Sequence, residues 1–165
     1  MNYAHIMFIS FEIRISAVEV DTLMSHMDDN TLVVGPVLNG HIFDPGAHNL
    51  CGRKCPWNTC AIWALNKLGL IGFPMIGDGY GPSIPGGVEE VSAIALAQML
   101  NDTWQAKLLR LEVEGGTLTW HTSFASEERR LYHEKKMASK DSRPASQMLA
   151  LGGAVGPGRV VHVIH

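Results

Sequence analysis

Glu89 and Glu90 stand side by side in Gly86-Gly87-Val88-Glu89-Glu90-Val91, where a Gly/Pro-rich loop gives way to an amphipathic helix. Acids at that place admit two readings. The first turn of a helix has unpaired N–H groups and the positive end of the dipole, so carboxylates are stabilised there. Equally, a carboxylate at the mouth of a pocket can serve as a general base. Two further polar points end apolar runs: Ser10 and Glu12 after Ala4–Ile9, and His121 after Leu118-Thr119-Trp120. In an open α/β sheet, ligands bind beyond the carboxyl ends of the strands. A carboxylate from Glu12 and an imidazole from His121 at one such edge could bind Mn²⁺ or Mg²⁺. The structural alternative for each is a hydrogen-bonded residue at a strand end.

A second constellation is His48-x₂-Cys51-x₃-Cys55-x₄-Cys60. Four soft ligands within thirteen residues suit a structural zinc site, although the usual spacing is tighter and paired. Cys60 reads otherwise as a small buried hydrophobe on a helix with Ile62. Asp78, in Gly77-Asp78-Gly79-Tyr80-Gly81, lies in a glycine-rich run that lacks the Lys-Ser/Thr of a phosphate loop. Trp57, Trp63, Trp104 and Trp120 offer sugar-stacking faces or core packing. The run Lys135-Lys136-Met137-Ala138-Ser139-Lys140 reads as a solvated helix face that could touch an anionic substrate.

The elements that must position these groups follow from the pattern. Ala4–Phe11 is a short apolar strand. Ser16-Ala17-Val18-Glu19 is a capping box, and Val20, Leu23, Met24 and Met27 line one face of the helix it opens. Thr31–Pro36 is a second strand, so the first thirty-odd residues read as a parallel βαβ crossover. Asn39–Phe43 reads as a short strand, and Asp44–Trp57 as a loop. Asn58 or Thr59 can cap a helix through Ile62, Leu65 and Leu68 to Gly69. Gly72–Gly87 has six glycines and three prolines in sixteen residues, which suits a functional loop or lid. Val91, Ala95, Leu96 and Met99 face inward on the next helix. Lys107–Val113 and Thr117–His121 form a hairpin around Glu114-Gly115-Gly116. Ser126–Ser139 and Arg143–Leu151 are helices, Gly152–Gly158 a glycine-rich connector, and Val160–Ile164 the last strand.

At 165 residues and 18.0 kDa, with 46% hydrophobic and 18% charged residues, the chain reads as a single α/β domain over 1–165 with an open mixed sheet and flanking helices. A net charge of −3 gives no electrostatic case for nucleic acid. No apolar run reaches the length of a membrane span, and the N-terminus has no basic n-region or cleavage site. Three cysteines are an odd set for a disulfide framework. A cytoplasmic setting is expected.

The order of the motifs resembles the C-terminal half of a family-two glycosyltransferase of the GT-A fold, the inverting enzymes that use nucleotide sugars. Ile6-Met7-Phe8-Ile9-Ser10-Phe11-Glu12 stands where the family's strand ends in Asp-x-Asp, and Leu32-Val33-Val34-Gly35-Pro36 stands at its Val-Val-Gly-Pro strand. Ala61–Leu68, Gly72-Phe73, the loop, Glu89-Glu90, Leu118-Thr119-Trp120-His121 and Glu127–Lys140 follow in the family's order. Only one carboxylate remains at the Asp-x-Asp position, and the family's base-binding N-terminal half has no counterpart. The resemblance implies metal-assisted transfer of a sugar from a nucleotide diphosphate to a hydroxyl acceptor. Glu90 would be the base, Glu89 its partner, Glu12 and His121 the Mn²⁺ or Mg²⁺ contacts, and Ser10, Asp78 and Trp120 the substrate contacts. The alternative is a non-catalytic remnant or interaction module. An open sheet edge, where the missing strands would lie, implies self-association.

Overall fold

The computed structural model describes residues 3–81, 83–112, 118–152 and 156–165. Its centre is a six-stranded mixed sheet built from β1 (His5–Ile9), β2 (Thr31–Pro36), β3 (Gly46–Asn49), β4 (Cys60–Ala64), β7 (Gln105–Arg110) and β8 (Arg159–Ile164). The spatial order is β1-β4-β2-β7-β8-β3. β2, β7 and β8 are mutually parallel, while β4 runs antiparallel to both β1 and β2, and β3 runs antiparallel to β8. A two-stranded ribbon, β5 (Gly79–Tyr80) with β6 (Ile84–Pro85), stands apart.

β2 and β4 are buried at every position, so both faces of the sheet must be covered. Alternation along the strands divides the interior. Val34, Ile62 and Leu109 point to one side, where α1 (Ala17–Ser25) adds Leu23 and its partly buried Val20 and Met24. Val33, Ala61, Trp63 and Leu108 point to the other, where α3 (Glu89–Leu100) adds Val91, Ile94 and Ala97, and α2 (Leu65–Ile71) adds Leu68. α5 (Ser142–Ala150) packs on α3, and α4 (Glu127–Ala138) leads into it.

Several expectations hold. The capping box is closed in both directions, with Ser16 and Glu19 each bonded to the other's backbone N–H. β2, α3, α4, α5 and β8 lie where the pattern puts them, although Met99, expected to face inward on α3, is exposed.

Others need correction. β1 and β2 point the same way, but they are not neighbours, because β4 is inserted between them. The expected helix from Asn58 to Gly69 is a strand, Cys60–Ala64, running straight into the short helix α2. Asn39–Phe43 is not a strand, whereas Gly46–Asn49 in the expected loop is. The hairpin after β7 is absent among the described residues. Leu118 instead forms a parallel bridge with Leu38, and Trp120 an antiparallel one with Ile13. The Glu114-Gly115-Gly116 turn and the middle of the Gly152–Gly158 connector lie outside the described residues. No described helix is long and apolar enough to cross a membrane.

Candidate active site

A cleft of about 470 Å³ opens beyond the carboxyl end of β1 and the start of β4. Since β4 is antiparallel to its neighbours, its start lies at the same edge as the carboxyl ends of β1 and β2. Glu12 and Trp120 form one wall, Asn58, Glu89 and Glu90 another, and Arg129, Lys136 and Lys140 a third.

The turn into α3 aims the glutamates. Gly87 and Val88 both take left-handed backbone conformations, at φ 96° and 66°. Val88 is the one described non-glycine residue with positive φ, and a β-branched side chain there stores about 1–3 kcal/mol of strain. Close packing holds the turn: a Cβ on Gly77 would lie 2.7 Å from Glu89 Cβ, so only glycine lets the helix start approach the preceding loop. Val88 supplies no side-chain cap, and Glu89 and Glu90 occupy the first turn. The dipole reading and the base reading are therefore compatible in place.

Glu90 is only 5% exposed, and its Oε1 accepts from the Asn58 backbone N–H at 2.5 Å. Burial, with the neighbouring Glu89 carboxylate, pushes its carboxyl up to about 7. Glu89 Oε1 accepts from Asn58 Nδ2 at 3.2 Å, and Asn58 Oδ1 accepts from Trp63 Nε1 at 2.9 Å. Asn58 is thus the clamp between β4 and the acid pair, not a helix cap.

Lys140, just past the end of α4, is the group the sequence hides. Its Nζ lies 3.2 Å above the centroid of the Trp57 ring. Burial lowers its ammonium to about 8, against the opposing pull of Glu90. His41 stacks on Trp57 with ring centroids 3.6 Å apart. An ammonium and an imidazole that close cannot share a face, so they sandwich the indole. His41 Nδ1 accepts from the Leu38 N–H, which leaves Nε2 as the donor to Cys55 O at 3.0 Å. Burial lowers this imidazole to about 3 and keeps it neutral. Gly52 makes room for Lys140: a Cβ there would fall 1.8 Å from Lys140 O. Arg143, by contrast, spends its guanidinium on backbone carbonyls of Ser139, Gly86 and Lys136, fixing α5 against the glycine turn.

Glu12 and His121 meet at this edge through their backbones, His121 N donating to Glu12 O at 3.0 Å. The Glu12 carboxylate accepts from Ser10 Oγ, which, with its own backbone, lowers its pKa. Trp120 lines the cleft beside the Glu12 carboxylate, which its side chain helps to hold ionised, and His133 Nε2 is buried without a hydrogen-bond partner among the described residues. Asp78 ends a 3-10 turn at the base of the loop and is not among the cleft residues.

Among the described residues, no three or more His, Cys, Asp or Glu side chains form a group able to hold a metal ion. His48, Cys51, Cys55 and Cys60 accordingly do not gather. His48 Nε2 bonds Asp44 O, Cys55 Sγ donates to Gly52 O, and Cys60 sits in β4. Burial pushes the Cys60 thiol up to about 12 and the Cys55 thiol well above its ordinary value, as expected of inert core thiols. A broader groove of about 590 Å³ lies at the opposite edge, by the starts of β7 and β8, with only Asp102 and Arg159 as charged lining.

No protein family, curated protein or solved structure matches this chain.

Proposed function

We propose that the cleft is an acid–base transfer site in which Glu90 removes the proton of a hydroxyl acceptor. The observation that carries this reading is a buried carboxyl on a cleft wall whose pKa is raised to about 7. A base works best when its pKa lies near the operating pH, and an alcohol is a poor nucleophile without one. The specific form is the one the sequence resemblance implies, transfer of a sugar from a nucleotide diphosphate sugar. Arg129 and Lys136 on the cleft wall suit a diphosphate, and Trp120 places an aromatic ring in the same cleft. The donor set around Glu12 does not fit a divalent ion, because among the described residues no group of three or more His, Cys, Asp or Glu side chains gathers there. No step is therefore drawn through Mn²⁺ or Mg²⁺. A cytoplasmic setting and self-association through the edge strand β1, where Ile6 and Ile9 are exposed, belong to the same proposal.

The test is release of nucleoside diphosphate from a panel of nucleotide sugars, with calorimetric titration of the diphosphates alone. Glu90→Gln should lower turnover about 10²–10⁴-fold and spare binding. Turnover unchanged in Glu90→Gln, or no binding at roughly millimolar ligand, would remove the support. The two hydrogen bonds from Asn58 to the acid pair favour a second reading, in which the glutamates only splint α3 to β4 and the fold is a binding module. Ligand binding without turnover would select it.

A further inference from the structure

Lys140 differs from the buried lysines Lys67 and Lys107 in having no carboxylate or carbonyl partner among the described residues. Lys67 Nζ is held by two backbone carbonyls, and Lys107 Nζ by His26 O and Asp28. Lys54 contacts His48, and Lys136 lies over Tyr132 on the exposed face of α4. The Lys140 side chain instead rests on the Trp57 indole and opens on the cleft. His41, on the other face of that ring, is locked as a neutral imidazole by its two backbone bonds. The charged or titratable groups nearest in effect are Glu90 and Glu89 of α3, Cys55 of the loop before β4, and Arg143 of α5. The resting place is thus a desolvated aromatic platform, with a proton-carrying carboxyl on the same cleft.

We propose that Lys140 is a nucleophilic amine that captures an aldehyde or ketone bearing an anionic group, as a Schiff base in this cleft. This goes beyond transfer at Glu90 and does not depend on a sugar donor. The neutral Nζ adds to the carbonyl carbon as the C=O π bond breaks and its oxygen takes a proton, giving a carbinolamine. The nitrogen then loses its surplus proton while the oxygen is protonated again and leaves as water, and the C=N bond forms. Amine and carbonyl compound become imine and water, with no change of oxidation state. Glu90 can carry the protons in both directions. Arg129 and Lys136 give the carbonyl compound's anionic group its partner. Desolvation favours the free amine that this chemistry needs, while the Trp57 face steadies the ammonium between turnovers.

The test uses glyoxylate as the probe, with cyanoborohydride to trap the imine as carboxymethyl-lysine, read by peptide mass spectrometry on the whole chain. Lys140 should be modified about tenfold faster than any of the other five lysines at pH 7, because far more of it is free amine. The rate at Lys140 should rise with pH to a midpoint near 8. Lys140→Arg keeps the cation over Trp57 and should lose the fast phase while retaining the wild-type circular dichroism spectrum. Glu90→Gln should slow trapping at Lys140 without redirecting it. Modification spread evenly over the lysines, or a Lys140 midpoint above about 10, would overturn the proposal. Neither result would bear on nucleotide-sugar turnover, which is measured separately.

Discussion

Replacing Glu90 by glutamine should make the protein more stable at pH 8 while disabling the proposed chemistry. The carboxyl has an ordinary value of 4.5 and is raised to about 7 in the fold. Between those values the native state holds a proton that the unfolded state has released. Stability is therefore complete below pH 4.5 and declines as pH rises through 7. About 2.5 pH units at 1.36 kcal/mol each amount to about 3 kcal/mol lost by pH 8. Glutamine has the same shape, keeps an oxygen for the Asn58 N–H and cannot ionise. Urea denaturation of both proteins at pH 5, 6, 7 and 8 gives the difference directly, and contributions common to both, such as that of His41, cancel. The variant should gain little near pH 5 and about 3 kcal/mol at pH 8. A difference that stays flat across this range would refute the claim that Glu90 is buried and held near neutrality.

His41 acts in the opposite sense. Its imidazole is lowered to about 3 in the fold from 6.5, so below pH 6.5 the unfolded chain takes up a proton that the native state refuses. Stability should fall by about 5 kcal/mol between pH 6.5 and 3, and ¹⁵N spectra should show a neutral Nε2–H imidazole down to about pH 4; titration of His41 near its ordinary value would contradict the sandwich. Gly52→Ala would drive a Cβ to 1.8 Å from Lys140 O, and thermal melts should show a loss of about 3 kcal/mol. A wild-type melt would mean that the end of α4 does not rest there. Asn58→Ala removes the side-chain bonds to Glu89 and Trp63 but not the backbone bond to Glu90. It should cost about 1–3 kcal/mol in denaturant titration, chiefly through the orphaned Trp63 N–H, and a neutral result would argue against the clamp.

The parts of the fold readable from sequence are those with a local cause. The Ser16/Glu19 box fixes its own helix start, and Glu89 and Glu90 announce theirs. β4 escaped because a strand buried on both faces has no alternation to show. Cys60–Ala64 runs straight into α2, so Ile62, Leu65 and Leu68 carry a helical spacing across the junction of two different elements. The β1–α1–β2 reading had the strand directions right, and nothing within those residues could reveal that a later segment would come between the strands. Within the cleft, Glu89, Glu90, Glu12 and Trp120 were singled out and do line one space. Lys140 was not, since a basic run at the end of a polar helix reads as solvated. Its burial follows from Gly52 and Trp57, which meet it only through tertiary packing.

The strand order also has a consequence for how the chain finds this structure. No two neighbours in the six-stranded sheet are joined by a tight turn. Even the least separated pair sets Val33 against Trp63, and the most separated sets Gly46 against His162. Each pairing must close a long loop before any strand contact rewards it, so the sheet has no local hairpin from which to grow. β1, extended and apolar, has nothing to pair with until β4 exists, and it competes meanwhile for any free strand edge. Refolding should accordingly be slow for a chain of this size and sensitive to protein concentration, with α1 and α3 gaining helicity before the sheet is complete.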